Sequence, residues 1–179
     1  MAKFITLLRG INVGGHKKIL MLDLRNLLSK SKLNDVQTYI QSGNIVFSST
    51  ELNTEELAKH IESVIENKYG FHVPTLVLTN QNLLDALANN PFIEDDLKDN
   101  KKLNFTFLYT EPNPQQIKVL KEYSFDNEEL IIHNSMVYQY FGNGAAKAKF
   151  TGNFIENKLK VTTTSRNLRT VEKLISLST

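Results

Sequence analysis

The chain has 179 residues, of which 41% are hydrophobic and 22% charged, and its formal net charge is +2. These values are typical of a folded protein with one large domain or two small ones. The absence of cysteine excludes disulfides, thiolate catalysis, Cys-ligated zinc and iron–sulfur clusters. No apolar run approaches the length of a membrane span, and the first ten residues lack a signal-peptide pattern. We therefore expect a cytoplasmic protein without a membrane partner.

Charge is distributed unevenly along the chain. Residues 1–50 carry seven Lys or Arg against two acids, and residues 145–179 also carry seven against two, a net +5 in each. Residues 51–100 carry three against ten, a net −7. The two basic ends are either separate solvated faces or, if they meet in space, one anion-attracting surface.

The first eighty residues alternate between strand and helix patterns. Apolar, β-rich runs predict strands at 3–10, 36–40, 44–49 and 72–79. Leucines at helical spacing predict a helix over 19–31, and Asn53 and Gly70 predict the start and stop of a second. Ser42 and Gly43 predict a two-residue turn between the middle strands. The order is β-α-β-β-α-β, that of a ferredoxin-like unit.

The pattern weakens after residue 80. The sequence predicts, in order, a helix near Leu83–Ala88, a strand at 103–110, a helix from Pro114, a hairpin around Asn134–Ser135 and a closing helix over Arg166–Ile175. We expect an α+β protein with a ferredoxin-like unit over 1–80, a connector over 81–99 and a second α+β unit over 100–179. The second half raises the question of a structural duplication, although no residue-level repeat supports one.

A glycine-containing loop follows the first predicted strand in LLRGINVGGHKK, residues 7–18. Gly14 and Gly15 permit backbone conformations closed to other residues, and the chain from Lys17 onward is predicted to enter a helix. A strand, a glycine loop and a helix N-terminus together form the layout of an anion site. The spacing matches neither the dinucleotide nor the Walker pattern, and a loop that needs glycine only to turn is the alternative.

The segment TTTSRNLRTVEKLIS, residues 162–176, also favours an anion. Ser165 or a neighbouring threonine is predicted to cap the last helix, which places Arg166 and Asn167 in its first turn. An arginine there opposes the helix dipole unless a negative group is bound nearby. The alternative is a solvated basic stripe on an amphipathic helix.

Three stretches, LLRGINVGG, TYIQSGNIVF and TTTSRNLRTVEKL, strongly resemble the bacterial family called domain of unknown function 1697. The resemblance implies a two-part α/β protein with an N-terminal ferredoxin-like unit, and it implies no reaction. The chain departs from the family pattern at two places. Leu168 stands where a Trp is common, and AKAKF (146–150) replaces a Gly-Arg-Ser-Lys-Leu stretch. Lys149 matches the family lysine, whereas Ala148 removes the hydroxyl.

We expect the basic ends to bind a phosphorylated or otherwise anionic small molecule, with or without turnover. The alternatives are a nucleic-acid-binding module on the same surface and a purely structural or interaction protein. The histidines lack ligand-like spacing, so no metal site is expected, and the sequence identifies neither cofactor nor reaction. The candidate ligand-binding residues are Arg9, Asn12, Gly14, Gly15, Lys17, Gln41, Ser42, Asn44, Lys149, Thr164, Arg166 and Asn167.

Overall fold

The protein is described by a computed structural model that covers residues 1–179. It has eight strands and six α-helices, so the predicted α+β class is confirmed. In chain order these are β1 (Ala2–Leu8), α1 (Met21–Ser29), β2 (Asn34–Tyr39), β3 (Asn44–Ser49), α2 (Thr54–Tyr69), β4 (Thr75–Thr79), α3 (Asn80–Ala88), β5 (Leu103–Leu108), α4 (Pro114–Lys121), β6 (Glu128–His133), β7 (Met136–Phe141), α5 (Gly152–Leu159), β8 (Thr163–Asn167) and α6 (Leu168–Ser178). None of the helices combines the length and hydropathy needed to cross a lipid bilayer.

The strands form two antiparallel sheets of four, with the orders β2-β3-β1-β4 and β6-β7-β5-β8. Both sheets follow the β-α-β-β-α-β order, so the fold is duplicated although the sequence is not. The chain divides into unit 1, Met1–Leu84 with Lys173–Thr179, and unit 2, Asp85–Glu172. The boundaries therefore fall inside α3 and α6, whereas the sequence-based division placed a connector at 81–99.

In unit 1, α1 and α2 cover one face of the sheet. Leu24 and Leu28 of α1 and Ile61 of α2 are fully buried against this face. The rings of Phe4 and Phe47 on neighbouring strands stack there with centroids 5.8 Å apart. Burying a large apolar side chain contributes about 1.5–3 kcal/mol, so this layer supplies much of the stability of the unit.

In unit 2, the helices α4 and α5 cover the equivalent face. Leu120 of α4 and Ile155 of α5 are fully buried and pack with Val137 of the sheet. The Asn113 side chain caps α4 by accepting from the Gln115 amide, and Pro114 occupies the first turn, where its missing N–H has no partner to lose.

Two predicted boundaries in unit 1 are wrong. The turn between β2 and β3 has four residues, Ile40–Gly43, instead of the two residues Ser42 and Gly43. Helix α1 begins at Met21, and Leu20 before it is exposed. Lys17 therefore lies in the loop, with a left-handed φ of 46°, and Gly14 and Gly15 do not lead directly into a helix.

The prediction that Arg166 and Asn167 open the last helix is also wrong. They lie in β8, which pairs with β5, and the helix begins at Leu168. The central strand β5 needs hydrogen-bond partners on both edges, and the threonine-rich segment suits a pleated surface. This pairing requirement outweighs the helical spacing of the residues that follow.

A buried polar network distinguishes the second sheet from the first. Gln139, which is fully buried, accepts from the Asn104 amide at 2.8 Å and from the Thr106 hydroxyl at 2.6 Å, and it donates to the Phe150 carbonyl. The hydroxyls of Thr106 and Ser165 lie 2.6 Å apart. Every member is thus hydrogen-bonded, as a buried polar group requires.

The equivalent positions of the first sheet are apolar except for one. The strand registers place Thr6 where unit 2 has Thr106, Phe47 where it has Gln139, and Val77 where it has Ser165. The buried Thr6 hydroxyl consequently has no hydrogen-bond partner. An unpartnered buried hydroxyl destabilises a fold by about 1–3 kcal/mol.

The two threonines should therefore respond oppositely to the same substitution. We expect Thr6→Val to raise the free energy of unfolding by about 1 kcal/mol, because it removes an unsatisfied hydroxyl at nearly constant volume. We expect Thr106→Val to lower it by about 1–3 kcal/mol, because Gln139 and Ser165 lose a partner. Urea denaturation of both variants measures this, and equal effects would contradict the assignment.

Candidate functional site

The predicted site residues fall into two groups. Unit 1 carries eight of them, in the loop after β1, in the turn between β2 and β3 and at the first residue of β3. Unit 2 carries the other four, Lys149 ahead of α5 and three residues of β8.

Asn12 joins the loop to the turn. Its side-chain amide donates to the carbonyls of Ile19 and Gln41, both at 2.9 Å, and its side-chain oxygen accepts from the Ile19 amide at 2.9 Å. Both donors of the carboxamide are therefore used within the protein. We call this set of bonds the Asn12 clamp. The clamp gives Asn12 a structural role that explains its presence without a ligand.

The turn itself is packed too closely for any residue but glycine at position 43. Gly43 has a left-handed φ of 76°, and a Cβ there would lie 2.7 Å from Leu8 Cβ and 2.8 Å from Ile11 Cδ1. The Gly43 carbonyl accepts from the Leu8 amide at 2.8 Å. The side-chain amide of the buried Asn44 donates to the Tyr39 carbonyl and the Ser42 hydroxyl, which closes the turn.

The remaining residues of the first group differ in exposure. Gly14 and Gly15 are exposed and have left-handed φ values of 59° and 80°. The Lys17 ammonium donates to the His72 carbonyl at 2.6 Å and lies 5.9 Å from the Phe71 ring. Arg9 is half-buried, and its backbone amide donates to the Pro74 carbonyl at 3.0 Å. Lys17 thus helps to fix the loop on the segment before β4.

Arg166 is the buried cation of the second group. Its Nη1 donates to the Thr164 hydroxyl at 2.9 Å and to the Ser165 carbonyl at 2.7 Å. Burial lowers the pKa of Arg166 to about 10, an effect that Tyr109 partly offsets. The guanidinium therefore stays protonated at neutral pH, although removing it from water weakens its hold on the proton.

Asn167 and Lys149 serve neighbouring backbone segments. The Asn167 side chain accepts from the Thr170 amide at 3.0 Å and so caps α6. The Lys149 amide donates to the Glu128 carboxylate at 2.8 Å, and its ammonium lies 5.4 Å from the Phe125 ring. These contacts leave the Lys149 ammonium exposed at the surface of unit 2.

A cavity of about 390 Å³ lies in unit 2 beside the start of α6. It is lined by one apolar residue and five polar ones, Leu168 with Asn100, Lys101, Asn167, Arg169 and Glu172. Antiparallel pairing of β5 with β8 forms it. Because Asn104 pairs with Asn167, the residues just before β5 lie beside those just after β8.

The charged side chains of this cavity are not used by the fold. Lys101, Arg169 and Glu172 form no ion pair and are exposed to solvent. Arg169 lies in the first turn of α6, where a cation opposes the helix dipole. The cavity therefore presents two cations, one carboxylate and two amides to whatever enters it.

Of the cavity residues, only Asn167 belongs to the predicted site. Arg169 is visible in the sequence as part of a basic stripe, but Lys101 lies just after the connector predicted at 81–99 and belongs to no predicted motif. Recognising the strand at 163–167 would have connected the two residues, because its partner β5 starts two residues after Lys101. Without that strand the sequence gives no reason to place Lys101 near Arg169.

The comparisons with known proteins identify the family. A family model described as "Protein of unknown function (DUF1697)" matches residues 1–138. The chain belongs to this family. The DUF1697 match includes the LLRGINVGG and TYIQSGNIVF stretches, which form the Asn12 clamp, and ends before the threonine-rich strand β8.

A solved structure extends the similarity to the whole chain. A conserved bacterial protein from Streptococcus pneumoniae matches with a TM-score of 0.75 and 27% identity, over 99% of this chain and 98% of that one. A comparison with curated proteins finds no match. The fold of both units is therefore shared with that protein, and neither comparison supplies an activity.

The packing at Gly43 can be tested against a second glycine. We expect Gly43→Ala to lower the free energy of unfolding by about 2–4 kcal/mol, because backbone strain adds to overlap with Leu8 and Ile11. Gly15→Ala is the matched control. Its φ is equally left-handed, but nothing lies within 4 Å of its Cβ position, so about 1 kcal/mol is expected. Thermal or urea denaturation that shows equal losses would contradict this packing.

Proposed function

We propose that the protein binds an anionic small molecule in the cavity beside the start of α6. The observation that carries the proposal is the set of unused charges there. Lys101 and Arg169 line one cavity and have no ion-pair partner within the protein. Like charges repel when they share a site, and a bound anion removes that cost.

The residues that line the cavity limit the chemical class of ligand that fits it. Arginine binds phosphate or carboxylate through two parallel hydrogen bonds, and the neighbouring lysine adds a point charge. Glu172, three residues after Arg169 on the same side of the helix, accepts hydrogen bonds from hydroxyl or ammonium groups and repels a second anion. A ligand with one anionic group and several hydroxyl or amine donors, such as a sugar monophosphate, fits this arrangement best.

The size of the cavity is consistent with such a ligand. Small-molecule sites are commonly 300–1,000 Å³, and a volume of about 390 Å³ lies at the lower end of that range. The cavity contains no paired catalytic groups that identify a reaction. The proposal is therefore one of binding.

A thermal-shift screen tests the proposal. Sugar monophosphates, nucleoside monophosphates, inorganic phosphate and a short single-stranded oligonucleotide serve as probes. A ligand at about a hundred times its dissociation constant adds roughly 2.7 kcal/mol, which for this chain length raises Tm by about 5–10 °C. We expect a sugar or nucleoside monophosphate to produce such a shift.

Matched variants then locate the site. Arg169→Ala and Lys101→Ala should each weaken binding about 10- to 100-fold and change the stability of the free protein little, because neither side chain supports the fold. Lys118→Ala, an exposed lysine of α4 in the same unit, is the control and should bind normally. A shift that survives both cavity substitutions places binding elsewhere. A shift with the oligonucleotide alone, lost steeply with salt, replaces the small molecule with nucleic acid.

Because the Glu172 carboxylate lines the cavity, we expect the site to distinguish ligands with one anionic group from ligands with two. We expect the wild-type protein to bind fructose 6-phosphate more tightly than fructose 1,6-bisphosphate, because the second phosphate meets the carboxylate. Glu172→Gln should raise the relative affinity for the bisphosphate about 5- to 10-fold, the effect of removing one nearby like charge in a partly solvated site. Isothermal titration of both ligands measures the ratio. An unchanged ratio would exclude Glu172 from the binding site.

A further inference from the structure

One wall of the cavity in unit 2 comes from a segment without regular structure. Asn100 and Lys101 line the cavity, and both lie between α3 and β5. Residues 89–102, which we call the strap, contain one 3₁₀ turn, Asn100–Lys102, and no α-helix or β-strand. Such segments are ordinarily the more mobile parts of a protein. A fixed wall therefore requires contacts that hold the strap on the rest of unit 2.

Lys98 supplies these contacts. Its ammonium donates to the Glu129 carboxylate of β6 and lies 3.7 Å from the Asp95 carboxylate. The same ammonium lies 5.5 Å from the centre of the Phe92 ring and 4.6 Å from that of the Tyr140 ring on β7. Both distances are within the range of a cation–π interaction. One side chain thus joins the strap to two strands of the sheet.

The orientation of Lys98 is the reverse of what hydropathy favours. Its side chain is 12% exposed, whereas the preceding Leu97 is 92% exposed. Lysine is rarely buried in proteins unless its ammonium is paired. Charge-assisted hydrogen bonds are directional, whereas burial of a leucine is not, so the lysine fixes the position of the strap more narrowly.

Backbone hydrogen bonds carry this position to the cavity. The Asp99 side chain accepts from the Lys101 amide at 2.9 Å, and the Asp99 carbonyl accepts from the Lys102 amide at 2.8 Å. The Lys102 ammonium donates to the Gly142 carbonyl at 2.8 Å. The two cavity residues of the strap therefore lie between two anchors, of which Lys98 is the first.

We propose that Lys98 is a positioning residue of the cavity, which fixes the strap so that Asn100 and Lys101 are in place before an anion binds. Lys98 is not among the residues that line the cavity, so it acts through the strap. A wall that is ordered in advance strengthens binding, because less motion is lost when the ligand enters. This inference rests on the proposed function of the cavity.

The contacts of Lys98 govern local order more than the stability of the whole unit. The Glu129 side chain is 53% exposed, and an ion pair with an exposed partner contributes little to global stability. Loops with few buried contacts open without unfolding of the sheet that carries them. Loss of the Lys98 side chain should therefore release the strap while the rest of unit 2 stays folded.

Amide hydrogen exchange of the ligand-free protein tests the ordering. Lys98→Ala and Glu129→Ala should each speed exchange in residues 95–102 at least 10-fold and leave exchange in β5 unchanged. Lys98→Arg retains a cation beside the carboxylate and the two rings, so its exchange should match that of the wild type. Lys59→Ala is the control, because it breaks a similar ion pair, 2.9 Å long, with Glu56 on α2 of unit 1. Unchanged exchange of the strap in both alanine variants would overturn the proposal.

Isothermal titration with fructose 6-phosphate tests the positioning. Lys98→Ala should weaken binding at least 5-fold in the wild-type background and less than 2-fold in Lys101→Ala, because a positioning residue acts through the side chain that it places. Equal losses in both backgrounds would indicate general destabilisation and would contradict the proposal. Binding that Arg169→Ala weakens and Lys98→Ala leaves unchanged would remove this inference alone. Absence of binding to the wild type would overturn the proposed function and this inference together.

Discussion

Each half of the chain depends on a strand that must be hydrogen-bonded along both edges. In unit 1 this is β1, which lies between β3 and β4, and in unit 2 it is β5, which lies between β7 and β8. An equivalent backbone hydrogen bond follows the last residue pair of β1 with β3 and of β5 with β7. The Leu8 amide donates to the Gly43 carbonyl as the Leu108 amide donates to that of Ser135. The backbone arrangement repeats because an unpaired N–H or C=O group in a central strand lowers the free energy of unfolding. The side chains of the two sheets differ.

This constraint explains how far the sequence can be interpreted. Its patterns locate β1, β3, β5 and the second hairpin well, because each has β-rich residues or a recognisable turn. They do not predict β8, because its sequence Thr-Thr-Ser-Arg-Asn has no apolar alternation and precedes a strongly amphipathic helix. The segment becomes a strand because the open edge of β5 needs backbone hydrogen-bond partners. The residues of β5 lie about sixty positions earlier in the chain, so a local pattern cannot reveal this requirement. Tertiary context thus overrides local preference there.

The candidate site was harder to predict than the fold. Residues such as Asn12 and Gly43 stand out in the sequence because their chemistry is unusual, and the structure shows that they satisfy the backbone and the packing of unit 1. The cavity of unit 2 takes Asn167, Leu168, Arg169 and Glu172 from the TTTSRNLRTVEKL stretch, whereas Asn100 and Lys101 come from a segment with no comparable sequence pattern. Arg169 and Lys101 are ordinary surface residues in the chain, and only the register of β5 and β8 brings them to one cavity. The sequence pattern therefore locates part of the proposed cavity, and the pairing of β5 with β8 is needed to locate the rest.

The Asn12 clamp also has a consequence for motion. A loop of a dozen residues between a strand and a helix ordinarily opens by itself, and its amide hydrogens then exchange rapidly with solvent. Here the Ile19 amide is bonded to the Asn12 side chain, and the Asn12 amide to the Lys17 carbonyl. Because the same carboxamide also donates to the Gln41 carbonyl, release of the Ile19 amide hydrogen is coupled to separation of the loop from the turn. We therefore expect the Ile19 amide to exchange with the cooperative opening of β1 and β3 rather than with independent opening of the loop.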